Sequence, residues 1–181
     1  MRNFKTQGII IKRRNFGEAD RIITIFTKQS GKIHIKALGV RKIISRRSPH
    51  VELLNHSMLT LYRGRSLPIL TEAQTIQDFS SIKDNLTKVG FAYHVCELID
   101  GLCPENQENR LVFSLLEQTL HRLSKVSNPS SFIHEFEITL LKYLGFYPRL
   151  QFANNLNTQH FIENILERRL RSRQFLSKLS P

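Results

Sequence analysis

Cations crowd one stretch of the chain: Lys12, Arg13, Arg14, Lys32, Lys36, Arg41, Lys42, Arg46, Arg47, Arg63 and Arg65. Side chains of this type at this density neutralise phosphates, so the chemistry they point to is capture of a polyanion rather than turnover. Only Phe16 and Tyr62 are placed to stack on bases, and either could equally pack in the core. The expected binding mode is therefore phosphate-dominated and indifferent to sequence. Log affinity should fall by roughly 0.7 to 0.9 per neutralised phosphate as log salt rises.

Catalytic constellations are sparse. Glu18 and Asp20 are the close acidic pair of the basic stretch; they could hold a divalent ion, but capping a loop or pairing a lysine is the commoner use of such a pair. His94, Cys96 and Cys103 do not match the C-x₂₋₄-C spacing of a structural zinc, and both cysteines read as small buried hydrophobes. No glycine-rich phosphate loop, G-x-S-x-G or H-E-x-x-H occurs. The reading is of a non-enzyme with no metal and no cofactor.

The 181 residues carry 27 Lys and Arg against 15 Asp and Glu, a net charge of +12. Residues 1–79 hold 15 basic and 5 acidic side chains, residues 80–150 hold 7 and 8, and residues 151–181 hold 5 and 2. The basic character thus belongs to the first segment, as a binding face requires and a uniformly solvated surface does not. With 40% hydrophobic residues and 12 Phe, the chain can bury a core, which excludes disorder throughout. The apolar run Gly8–Ile11 is too short for a secretory segment, and nothing approaches the roughly 18 apolar residues of a membrane span. A soluble, cytoplasmic protein without membrane contact is expected, and two cysteines fit a reducing compartment.

From Phe4 to Gln77 the pattern is of short β-branched runs ended by turn residues. Strands are expected at 7–14, 21–28, 32–37, 50–63 and 67–76, with Ile33, Ile35 and Ala37 inward and Lys32, His34 and Lys36 outward. The loop 40–49, rich in arginine, should be exposed and mobile. Five strands without a helical crossover suggest an N-terminal five-stranded antiparallel OB-fold barrel over residues 1–79. After Phe79 the apolar period becomes 3.6, so residues 80–181 should form an all-α domain: an α+β chain overall.

Four helices are expected, at about 80–103, 108–126, 129–145 and 158–178, with Ser81 capping the first, Pro129 opening the third and Gly145 closing it. Residues 146–148 read as a turn and 154–157 as a polar loop. Such a bundle could offer an apolar groove to a partner's acidic tail, with Arg122, Lys125, Arg149, Arg168 and Arg169 as candidate cationic neighbours.

Several segments in order resemble one family. They are Gly8–Arg13, Gly17–Ile22, Phe26–Thr27, Gly31–Lys32, Gly39–Lys42 with Ser45–Arg46, Leu61–Arg65 followed by Leu67–Glu72, Leu141–Pro148, and Leu170–Leu176. Together they are similar to the bacterial recombination mediator and DNA repair family RecO. The resemblance implies a helical domain behind an OB domain and a protein that binds single- and double-stranded DNA and anneals complementary strands. It also implies work with the partner RecR, contact with the acidic C-terminal tail of single-strand binding protein, and help in loading RecA, at the nucleoid. Many members carry a four-cysteine zinc finger after the Leu-Gly-Phe-x-Pro landmark, whereas here Leu150–Leu156 contains no cysteine. Two other readings stay open beside the resemblance: an adaptor whose helical domain captures an acidic tail, and an OB-fold RNA-binding factor.

Overall fold

Alternating aliphatic residues close the first five strands into a ring. The computed structural model describes residues 2–146 and 157–179. Strands β1 (Asn3–Phe16), β2 (Asp20–Thr27), β3 (Gly31–Ala37), β4 (His56–Tyr62) and β5 (Ile69–Gln77) form a closed barrel in the order β1-β2-β3-β5-β4. Its interior holds Ile10, Ile23, Ile25, Ile33, Ile35, Ala37, Val40, Val51, Leu59, Leu61 and Leu70, all buried. Each of the Ile, Leu and Val side chains contributes about 1.5–3 kcal/mol by leaving water.

The expected five-stranded OB barrel is present, with one parallel pairing. Four pairings are antiparallel, but β3 meets β5 in parallel through Lys36 and Ile69. An odd ring requires this: five strands cannot alternate direction all the way round, so one neighbour pair must run the same way. The five-stranded OB topology itself stands.

β1 carries a bulge. Ile10 pairs with Ile25 and Lys12 with Thr24, leaving Ile11 as the extra residue. The inserted residue inverts the side-chain parity, so Ile10 faces the core while Lys12, Arg14 and Phe16 face outward.

The connection from β3 to β4 is a folded loop ending in a 3-10 helix, Ser48–Val51. Arg47 donates to the carbonyls of Leu70 (2.7 Å) and Leu38 (2.8 Å), and Arg41 N–H donates to Ala19 O (2.9 Å). The expected slack loop is thus pinned to the barrel at both ends, and its 3-10 turn occupies the start of the run read as the fourth strand.

The chain divides into two compact units, residues 1–79 with 104–113, and residues 80–103 with 114–181. Residues 104–113 lie against the barrel: Asn106 N–H donates to Lys32 O (2.8 Å), His34 Nε2 lies 2.9 Å from Glu105 Oε1, and the Phe113 ring meets His56 edge-on at 5.7 Å. Gly31 (φ +63°) accommodates this strap, for a Cβ there would sit 1.8 Å from Gln107 O.

The second unit is helical: α1 (Ser80–Lys83), α2 (Leu86–Leu102), α3 (Arg110–Lys125), α4 (Ser130–Tyr143), α5 (Thr158–Leu166) and α6 (Arg171–Leu179). The long first helix expected from Ser80 is interrupted, because Asn85 turns extended and its side chain accepts from Lys88 N–H as an N-cap. That break resets the phase, leaving Leu86 and Tyr93 exposed and burying Ala92, Val95, Leu98 and Ile99. The last helix likewise splits where Glu167 adopts the left-handed conformation (φ 52°). Pro129 stands at the N-cap of α4, and Gly145 (φ +76°) follows its last turn. The turn at 147–148 and the polar loop at 154–156 lie outside the described residues.

Candidate nucleic-acid interface

The register of the barrel sets two rows of side chains across β1, β2 and β3. Lys12 pairs with Thr24 and Thr24 with His34; Arg14 pairs with Ile22 and Ile22 with Lys36. The Thr24 hydroxyl lies 3.0 Å from His34 Nδ1. The loop from β4 to β5 closes the far side with Gly64, Arg65, Ser66 and Leu67, and together these residues line a groove of about 660 Å³ floored by Phe16, Ile22 and Ile69. Phe16 is 47% exposed and carries the Lys36 ammonium 4.8 Å from its ring centroid. An open channel of four cations around one exposed ring suits a phosphate backbone with a base laid on the aromatic face.

Asp20, one of the acidic pair, has two partners. Its Oδ1 accepts from Gly39 N–H (2.8 Å) and its Oδ2 stands 3.5 Å from Lys36 Nζ. The hydrogen bond from Gly39 lowers its carboxyl below the usual range; partial burial opposes this and Lys36 adds to it. It caps the loop and aims the lysine. Among the described residues no group of three or more His, Cys, Asp or Glu could hold a metal.

The chain matches two family models, recombination protein O N terminal over residues 1–79, which build this face, and recombination protein O C terminal over residues 83–170. The chain belongs to the RecO family. It is similar to the DNA repair protein RecO of Roseiflexus sp. (strain RS-1), at 39% identity over 82% of this chain and 52% of that one. It is likewise 39% identical to DNA repair protein RecO of Dehalococcoides mccartyi over 84% of this chain and 60% of the relative. For Symbiobacterium thermophilum the identity is 33%, covering 81% and 58% respectively. The chain thus spans between half and three-fifths of the length of these RecO relatives.

The geometry sorts the expected cations. Lys12, Arg14, Lys36 and Arg65 converge on the groove. Arg13 does not: one residue out of phase with Lys12, it pairs with Glu52 at 2.5 Å, beside Arg21 at 3.7 Å from the same oxygen. Lys32 is 7% exposed beneath the 104–107 strap, contrary to the outward position expected of it. Arg41, Lys42 and Arg46 are exposed on the β3–β4 loop, while Arg47 is committed to backbone carbonyls. Arg63 lies over Phe4, 5.5 Å from the ring centroid, and does not line the groove.

In the helical unit, Phe91, Ile133, Leu170 and Leu176 floor a second groove of about 740 Å³, bordered by Arg169 and Arg173. Of the residues expected to flank a partner groove, Arg169 is there. Arg168 instead donates to Glu97 (2.6 Å), Arg122 pairs with Glu135 (3.1 Å), Lys125 ends α3, and Arg149 lies outside the described residues.

A buried polar cluster in the same unit escaped sequence reasoning. His94 and Glu137 are both 0% exposed, with His94 Nε2 at 2.7 Å from Glu137 Oε1 and His94 Nδ1 at 2.9 Å from Ser172 Oγ. Thr158 and Arg173 also donate to Glu137, and Ser172 donates to Glu97 (2.6 Å). Burial pushes both carboxyls up, but the hydrogen bonds outweigh it. Those from His94 and Thr158, with the Arg173 charge, hold Glu137 at about 2; those from Arg168 and Ser172 hold Glu97 at about 2. One signal was available: Glu137 interrupts the Ile133–Leu141 stripe of α4, where an aliphatic residue belongs.

Proposed function

We propose that the outer face of β1, β2 and β3 binds the backbones of single- and double-stranded DNA without sequence preference and promotes annealing of complementary strands, acting without catalysis. The observation that carries this is the convergence of Lys12, Arg14, Lys36 and Arg65 around the exposed Phe16 ring. Cations that screen two phosphate chains at once lower their mutual repulsion, which is what slows pairing at low salt. In the cell this activity would serve RecA loading together with RecR, in the cytoplasm at the nucleoid; no helix of the described residues is long and apolar enough to cross a membrane.

The test is the annealing rate of two complementary dye-labelled strands with and without the chain, at low and moderate salt. Salt-sensitive acceleration supports the reading; binding without acceleration removes the annealing role.

A second reading is favoured by the helical groove. An acidic, apolar-ended peptide, such as the C-terminal tail of single-strand binding protein, would seat its apolar end on Phe91, Ile133 and Leu176 and its carboxylates against Arg169. Titrating such a peptide against the chain and its Arg169→Glu variant tests this, and equal affinity for both would refute it.

A further inference from the structure

The β3–β4 loop carries two adjacent isoleucines that are almost wholly exposed. Ile43 is 104% exposed and Ile44 87%, above every other exposed large hydrophobic of the described residues. Single exposed aliphatics are common on protein surfaces; adjacent ones at a loop tip between Arg41, Lys42 and Arg46 are not what solubility alone would select.

The tip is presented rather than left slack. Lys42 N–H donates to Gly39 O (3.1 Å), Ser45 N–H to Lys42 O (2.9 Å), and Arg47 clamps the returning limb to Leu38 and Leu70. Its root is tied to the groove, since the Asp20 carboxylate that caps Gly39 also stands beside Lys36. A phosphate chain lying over Lys36 and Phe16 therefore has the Asp20-capped root of this loop close by.

We propose that Ile43 and Ile44 form a wedge that packs against the faces of unpaired bases, while Arg41, Lys42 and Arg46 hold the flanking phosphates. The proposal rests on the DNA-binding reading above and assigns to it a means of telling single strands from duplex. A single strand offers flat apolar faces beside closely spaced negative charges, which is the surface complementary to this loop. In a duplex the same faces are stacked and reached only by unstacking.

The test uses the full chain, an Ile43→Ser/Ile44→Ser variant and an Ile43→Leu/Ile44→Leu variant, with a single strand containing 2-aminopurine and its duplex. Both changes lie at highly exposed positions, and matching thermal melts establish that the variants fold. The parent should alter 2-aminopurine fluorescence on binding. The serine variant should lose that signal and bind the single strand about tenfold more weakly with an unchanged salt slope, while its duplex affinity stays within about twofold. The leucine variant should restore the parent's behaviour. The wedge is overturned if the serine variant matches the parent on single strands, or weakens equally on both substrates. It is also overturned if the variant keeps the base signal but loses binding to phosphatidylglycerol vesicles that the parent captures. Failure of the parent to bind either oligonucleotide at low salt is a different result, and sinks the DNA-binding reading itself.

Discussion

Lys36 and Phe16 meet across the sheet, the ammonium 4.8 Å from the ring centroid and 3.5 Å from Asp20 Oδ2. The contact holds the lysine over the aromatic floor of the groove instead of letting it sweep through solvent, at a value of about 0.5–1 kcal/mol for an exposed cation–π pair.

Single substitutions Lys12→Ala, Arg14→Ala and Lys36→Ala should each weaken DNA binding uniformly across sequences and reduce the salt slope by about one. Arg13→Ala, paired with Glu52 at 2.5 Å, should leave the slope unchanged. Titrations by fluorescence anisotropy at four salt concentrations separate the two outcomes.

Arg47→Ala should destabilise the barrel by about 1–3 kcal/mol, because the carbonyls of Leu38 and Leu70 lose a charged donor. Arg46→Ala, at an exposed position of the same loop, should change stability by less than about 0.5 kcal/mol. Urea denaturation of both variants checks the contrast.

What was legible in the sequence followed from local pattern. Period-two runs and turn residues located all five strands, since each buries one aliphatic face. The run Ile9-Ile10-Ile11 hides the bulge, because three adjacent aliphatics carry no parity, so in the sequence Arg13 reads as one of a row with Lys12 and Arg14. Lys32 alternates with Ile33 as an outward residue should, but its cover comes from positions 104–107, far along the chain. The same distance hid the His94–Glu137–Ser172 cluster.

Acid should unfold the helical unit in a defined window. Glu137 and Glu97 lie near 2 in the folded chain against an ordinary 4.5, so their stabilisation is complete above about pH 4.5 and is lost as pH falls toward 2. Glu137→Gln should cost about 3–5 kcal/mol at neutral pH, as breaking a buried pair does, and should flatten the acid limb. Thermal melts followed by circular dichroism between pH 7 and 2 measure both.

Gly31→Ala and Gly17→Ala form a matched pair. Both positions have positive φ, +63° and +58°, but a Cβ at Gly17 meets nothing within 4 Å whereas one at Gly31 strikes Gln107 O. Gly17→Ala should cost about 1–2 kcal/mol of backbone strain, and Gly31→Ala more, with faster amide exchange at Asn106, whose N–H holds Lys32 O.

The return of residues 104–113 to the barrel means that the chain passes between its two units three times, after Phe79, Cys103 and Phe113. On the ribosome the first 79 residues therefore emerge as an incomplete object, with the Lys32 carbonyl and the ring of His56 still uncovered until the strap has been synthesised and released from the exit tunnel. All five strands precede Phe79, so the ring can close first and receive its strap afterwards. The strap that covers it is made only after α1 and α2, which separate the two in the chain.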